Sequence, residues 1–113
     1  MLLALSSALA AISLLAAVPK LLGHPRMRAS AAHFGIEWAR YRLIGVAELA
    51  AAVGVLGGLY WRPVGVAAGV CLAPLLLGAV YQHIRVHEEP RRFLPALVTL
   101  AIDAAYLGVA LAA

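Results

Sequence analysis

Charge is scarce in this chain of 113 residues. Only 12% of it is Asp, Glu, Lys or Arg, where soluble domains carry about 25%. Hydrophobic residues make up 65%, and mean hydropathy is +0.95. So short a chain cannot shield that many apolar side chains in one water-surrounded core. An ordinary soluble domain is thereby excluded, and an integral membrane protein is the class that remains. Cysteine is nearly absent as well. Cys71 alone cannot form an internal disulfide, and without a Cys-x-x-Cys pair there is no thiol redox or cysteine metal motif. It reads as a small buried apolar residue. No nucleophile elbow, P-loop, flavin or nicotinamide fingerprint occurs. No soluble basic face with interleaved aromatics occurs either, so no nucleic-acid partner is expected. Strand alternation is missing: the apolar runs are continuous and rich in Ala and Leu.

What is present is four long apolar stretches, at about 2–22, 41–60, 63–84 and 93–112. Each approaches the ~20 residues that a helix needs to cross a ~30 Å hydrocarbon core. Helices satisfy their own backbone groups in lipid, and open sheets do not. The expected architecture is all-α: one transmembrane domain over 1–113, an integral membrane four-helix bundle with short loops and both termini on the same side. Gly57-Gly58 and Trp61-Arg62-Pro63 form a tight turn, and residues 87–92 form a polar link. Pro95 is expected in the first turn of the last span, where its missing N–H does no harm. In the longer first connection, residues 31–40 read as a short helix or loop at the interface. Trp38, Tyr41, Tyr60, Trp61 and Tyr81 fall near span ends, as interfacial aromatics do.

Lys and Arg divide eight against one between the two sides. Arg62 is alone on the side of the termini; Lys20, Arg26, Arg28, Arg40, Arg42, Arg85, Arg91 and Arg92 share the other. Positive charge stays cytoplasmic, which places the first and third connections inside and both termini outside. The formal net charge of +4 is therefore a topology signal. The expected location is the bacterial inner (plasma) membrane. Cleavage of the first span as a signal peptide is not expected. Ala16-Ala17-Val18 mimic a cleavage site, but the basic residues follow the apolar run instead of preceding it.

Polar residues inside the spans are the candidates for function. Ser6, Ser13 and Lys20 share one face of the first span. Tyr41, Gly45, Glu48 and Ala52 share a face of the second, and Thr99, Asp103 and Tyr106 a face of the fourth. Glu48 is the only charge between Leu43 and Leu59. An unpaired charge at such depth costs roughly 2.5–3.5 kcal/mol on insertion scales. From the topology, Glu48 lies roughly 10 Å from the cytoplasmic end of its span and Asp103 roughly 15 Å, near the midplane. Lys20 is placed to pair with Glu48, with His83 as a further partner. The cluster Lys20, Glu48, His83, Asp103 and Tyr106 has two readings: a salt-bridge scaffold that fixes helix register, or a ligand or proton site. His83 and His87 have the spacing of a metal pair, but further ligands do not follow, so no metal is expected. Gly54-x-x-x-Gly58 and Gly65-x-x-x-Gly69 read as close packing inside one bundle. Pro74 frees a backbone carbonyl and marks a kink.

Four segments carry a family resemblance: Pro19-Lys20-Leu21-Leu22-Gly23, His33-Phe34-Gly35, Leu43-Ile44-Gly45-Val46-Ala47-Glu48-Leu49 and Gly78-Ala79-Val80-Tyr81-Gln82-His83-Ile84-Arg85. In that order they resemble the DoxX-like family of small membrane proteins. The resemblance implies a four-helix membrane bundle and little about activity. The family name comes from a subunit associated with a membrane thiosulfate–quinone oxidoreductase, and relatives include assembly and cargo-handling factors. Asp103 has no counterpart among the matched segments.

Three functions fit. The expected one is a non-catalytic membrane subunit or assembly partner, as part of a redox complex or as a homo-oligomer, with no cofactor and no catalytic residue. The second is a binder or carrier of a quinone or lipid at the polar cluster. The third is a membrane enzyme using Glu48, His83 or Asp103 as acid–base groups. The orientation is testable in intact cells. In a Cys71→Ala background, Ala113→Cys is labelled by an impermeant thiol reagent and Arg91→Cys is protected; the reverse pattern inverts the topology.

Overall fold

The computed structural model describes residues 1–87 and 90–112. Among them there is no strand, and five helices follow in order: α1 (Leu2–Leu22), α2 (Pro25–Phe34), α3 (Trp38–Gly57), α4 (Arg62–Arg85) and α5 (Pro90–Ala112). Three helical segments are long and apolar enough to cross a membrane: Leu2–Leu22, Arg62–Arg85 and Phe93–Ala112. The second expected span, 41–60, corresponds to α3, which carries Arg40, Arg42 and Glu48 within its length and is not among these three. α1 packs on α3 and α5, and α4 packs on the same two helices, while α2 touches only α1 and α3 among the larger contacts.

Glycine sets the helix ends. Gly23 adopts a left-handed φ of 70°, which lets its own N–H reach the Lys20 carbonyl and that of His24 reach Pro19. Gly35, with φ 69°, closes α2 in the same way on Ala32 and Ala31. A β-carbon disfavours this conformation, so both positions suit glycine. α2 begins where Pro25 offers a preset first-turn φ and the His24 Nδ1 accepts from the Arg26 N–H at 3.1 Å. The helix of the first connection therefore occupies Pro25–Phe34 rather than 31–40. Its apolar stripe, Met27, Ala31 and Phe34, docks beside Tyr41 and Trp38. The latter half of 31–40 instead runs through the Gly35 turn into α3.

The distribution of side chains is inverted relative to a soluble protein. Leu3, Leu15, Leu22, Leu43, Val53 and Leu111 are exposed, whereas Ser6, Ser13, Thr99 and Asp103 are buried. That arrangement is stable only where the surrounding solvent is itself apolar, which makes this an integral membrane protein. The inner core draws Leu9 from α1, Ala51 and Val55 from α3, Leu72 from α4, and Tyr106 and Ala110 from α5. Cys71 is exposed, contrary to its expected burial, because α4 turns Gly65, Gly69 and Leu72 inward and leaves Cys71 outside. Pro95 also differs from expectation. α5 opens on Pro90, which leaves Pro95 inside the helix and not in its first turn.

Both glycine motifs are used for contacts within the chain. A Cβ at Gly54 would lie 2.7 Å from the Ala68 Cβ, and one at Gly58 2.5 Å from the Gly65 Cα. One at Gly65 would strike the Tyr106 hydroxyl. Gly78 faces open space. Gly65→Val is therefore expected to destabilise the fold by about 1–3 kcal/mol through overpacking, while Gly78→Ala leaves it unchanged or slightly more stable. Thermal unfolding in detergent distinguishes the two.

Candidate functional site

Lys20 comes from the last turn of α1 and Glu48 from the middle of α3. The Lys20 Nζ lies 2.5 Å from the Glu48 Oε1, and each side chain is only 12% exposed. Gly45 makes this approach possible: a Cβ there would sit 2.8 Å from the Lys20 Cβ. One turn before Glu48, it lets the aliphatic stem of Lys20 lie against the α3 backbone. The ammonium also stands 5.3 Å from the centre of the Tyr41 ring, a cation–π distance. Lys20, at the end of the Ser6, Ser13, Lys20 face, thus meets the face Tyr41, Gly45, Glu48 at the α1–α3 seam.

Two cavities flank the pair. One, of about 280 Å³, runs between α2, α3 and α4, with Lys20, Tyr41, Gln82 and His83 as its polar lining and Phe34, Ile44 and Leu75 in its apolar wall. The other, of about 220 Å³, lies among α1, α4 and α5, where Ser13, Lys20, Glu48, His83 and Thr99 provide the polar groups. Lys20, Ala79 and His83 line both. The His83 ring meets Phe34 edge-on with centroids 5.0 Å apart. Ala79 is the small residue among the three that the two cavities share.

A model of the DoxX-like family matches residues 4–106. The chain belongs to the DoxX-like family. Comparison with curated proteins and with solved structures finds no significant match.

This DoxX-like chain brings together three of the five candidate residues. Lys20, Glu48 and His83 line one cavity, while Asp103 and Tyr106 form a separate buried group farther along α5. The Tyr106 hydroxyl abuts Gly58 and Gly65, and Asp103 Oδ1 lies near Gly69. His87 does not share a helix face with His83, since α4 ends at Arg85 and His87 takes a left-handed φ of 57°. Among the described residues no group of three His, Cys, Asp or Glu gathers at one point. The acidic pair of the 87–92 link, Glu88 and Glu89, lies outside the described residues.

Other contributors carried weaker sequence signals. Phe34 and Gln82 were legible only as members of the segments His33-Phe34-Gly35 and Gly78 to Arg85 that carry the family resemblance. Two of the arginines bind helix ends. Arg42 donates to the Leu21 carbonyl at 3.1 Å, at the C-terminus of α1. Arg85 donates to the Phe34 carbonyl at the C-terminus of α2. Cations favour such carbonyl-rich ends. The first ties α3 to α1, and the second holds α2 against α4 at the rim of the site.

Glu48→Gln leaves the Lys20 ammonium without its counter-charge, and the expected loss is about 3 kcal/mol. Combining it with Lys20→Met removes both charges and is expected to recover most of that loss. A double-mutant cycle on unfolding in detergent measures the coupling, and additive single effects contradict it.

Proposed function

We propose that α3 crosses the bilayer with α1, α4 and α5 as a four-helix membrane bundle, and that the protein holds the polar head of a lipophilic ligand between them. The observation that carries this reading is the pair of cavities flanking Lys20–Glu48. A salt bridge serving only as scaffold packs best when nothing but side chains surrounds it. Here the ammonium, the carboxylate and the His83 imidazole border space instead. Ligand pockets are mostly apolar, with a few convergent polar groups, and span about 300–1,000 Å³; the two cavities together fall in that range. Pro74 and Gly78, which line the larger one, are exposed on the outer face of α4, so a ligand enters laterally from the bilayer. Quinones and lipids have the required chemistry: carbonyl, hydroxyl or phosphate oxygens for Lys20, His83 and Gln82, and an apolar tail for the wall of Phe34, Ile44 and Leu75.

In this reading α2 lies at the cytoplasmic surface of a bacterial inner membrane, with the arginines on its side and both termini outside, as the charge asymmetry requires. Lys20, Glu48 and His83 bind and orient rather than catalyse. A second reading, as a membrane subunit, is favoured by the outward face of α5. There Ala101, Ala104, Ala105 and Gly108 are all exposed, a flat strip on which another helix packs closely.

Native mass spectrometry of the purified protein tests both. The expected spectrum carries a bound quinone or lipid, and Ala79→Phe, which fills the shared wall of the two cavities, removes that adduct without unfolding the protein. A ligand-free spectrum with a stoichiometric protein partner supports the subunit reading instead.

A further inference from the structure

Four polar side chains, Ser6, Ser13, Thr99 and Asp103, are fully buried among the described residues, and all four lie on α1 or α5. Tyr106, also buried, adds a hydroxyl to the same face of α5. The two helices present these groups in antiparallel register. Lys20 and Pro95 line one end of the smaller cavity, and Ser13 and Thr99 continue along it. Beyond them the Tyr106 hydroxyl stands beside Ser6 and reaches the backbone at Gly58 and Gly65, where α3 turns into α4. The spacing supports continuity: Ser6, Ser13 and Lys20 recur every two turns, about 10 Å apart, and Thr99 and Asp103 are one turn apart, about 6 Å.

Two members of this seam have unmet polar atoms. Both carboxylate oxygens of Asp103, and the Oγ of Ser6, are buried without a hydrogen-bond partner. No cation pairs with Asp103 among the described residues. The groups around it are Gly69 from α4 and, one turn on along its own helix, Tyr106, which in turn stands beside Ser6 of α1. Lys20 lies fourteen residues beyond Ser6, about 21 Å along α1, and is engaged with Glu48. Buried polar groups in this condition are ordinarily bridged by water. The cavity next to Thr99, at about 220 Å³, has room for several water molecules, each occupying about 30 Å³ in the liquid. Acidic residues facing the interior of a membrane bundle mark proton relays and ion paths.

We propose that this α1–α5 seam conducts protons, with Asp103 as the proton-binding group between the cavity and the α3–α4 turn. The step is a simple exchange. The carboxylate takes a proton from a hydronium ion in the cavity, forming an O–H bond and leaving a water molecule. The acid then returns the proton to water at the Tyr106–Ser6 end, and the reverse sequence runs the other way. One proton changes sides and nothing else is consumed. The alternative is that these side chains only join α1 to α5 by hydrogen bonds.

The two are separated by proton flux into proteoliposomes holding the full-length protein and an internal pH dye, driven by a potassium potential set with valinomycin. The expected flux is at least about tenfold above protein-free vesicles, equivalent to a barrier lower by ~1.4 kcal/mol. Asp103→Asn is expected to return it to the protein-free level, and Cys71→Ala, on the lipid face, to leave it intact. Should Asp103→Asn fail to fold, Thr99→Val and Ser6→Ala provide the same comparison, each lowering the flux several-fold. Wild-type flux no higher than that of empty vesicles overturns the proposal. So does flux that survives in folded Asp103→Asn, or in both substitute variants.

Discussion

A polar group inside a bilayer has no water to fall back on, so its partner must come from the protein. That constraint organises this small chain, and the Lys20–Glu48 contact is its strongest expression. The ammonium and carboxylate lie on different helices, twenty-eight positions apart in the chain. They meet only if α1 and α3 approach closely and in one register. Gly45 permits the approach, and Tyr41 covers the ammonium from the side. A slip of one turn in either helix would leave both charges unmatched, so the pair selects the register as well as occupying it.

The same constraint shapes the helix ends. α1 and α2 stop on left-handed glycines that satisfy their last carbonyls, and Arg42 and Arg85 reach carbonyls that would otherwise be left over. The same two arginines thus also fasten the rim of the site. Packing between helices relies on small residues, since lipid tails give no hydrophobic drive for association. Gly54, Gly58, Gly65 and Gly69 let α3, α4 and α5 close on one another. Where small residues such as Ala79 stand without large neighbours opposite, space remains beside the polar pair. It is this combination of tight glycine contacts and open space that supports a binding role over a plain scaffold.

Much of the fold was legible because the bilayer imposes length and composition on anything that crosses it. The first apolar stretch coincides with helix α1, the third and fourth agree with α4 and α5 to within a few residues, and the second is displaced by a few residues from α3. The faces Ser6–Ser13–Lys20 and Thr99–Asp103–Tyr106 were readable from spacing alone. The misreadings have local causes. Pro25 and two glycines, not the apolar residues at 31–40, fix the place of α2. An opening proline at Pro90 lengthens α5 and draws Pro95 inside it. Cys71 is small and apolar enough for either face, so its composition carried no information about which face it takes. His83 and His87 kept a helical spacing on paper that the end of α4 cancels.

The sequence by itself determined that the chain lives in a membrane, that its spans are helical, and that Ser6–Ser13–Lys20 and Thr99–Asp103–Tyr106 each share one helix face. Hydrocarbon thickness and the energy of an unpaired charge are properties of single segments, and single segments are what a sequence displays. Only the tertiary structure decided which inward-facing groups meet. It joined Lys20 to Glu48 and set His83 beside them across two cavities, yet kept Asp103 apart with Ser6 and Tyr106. The reason is that such meetings depend on how closely helices approach and at what register. Both follow from contacts between glycine and its neighbours on other helices, which no single segment contains.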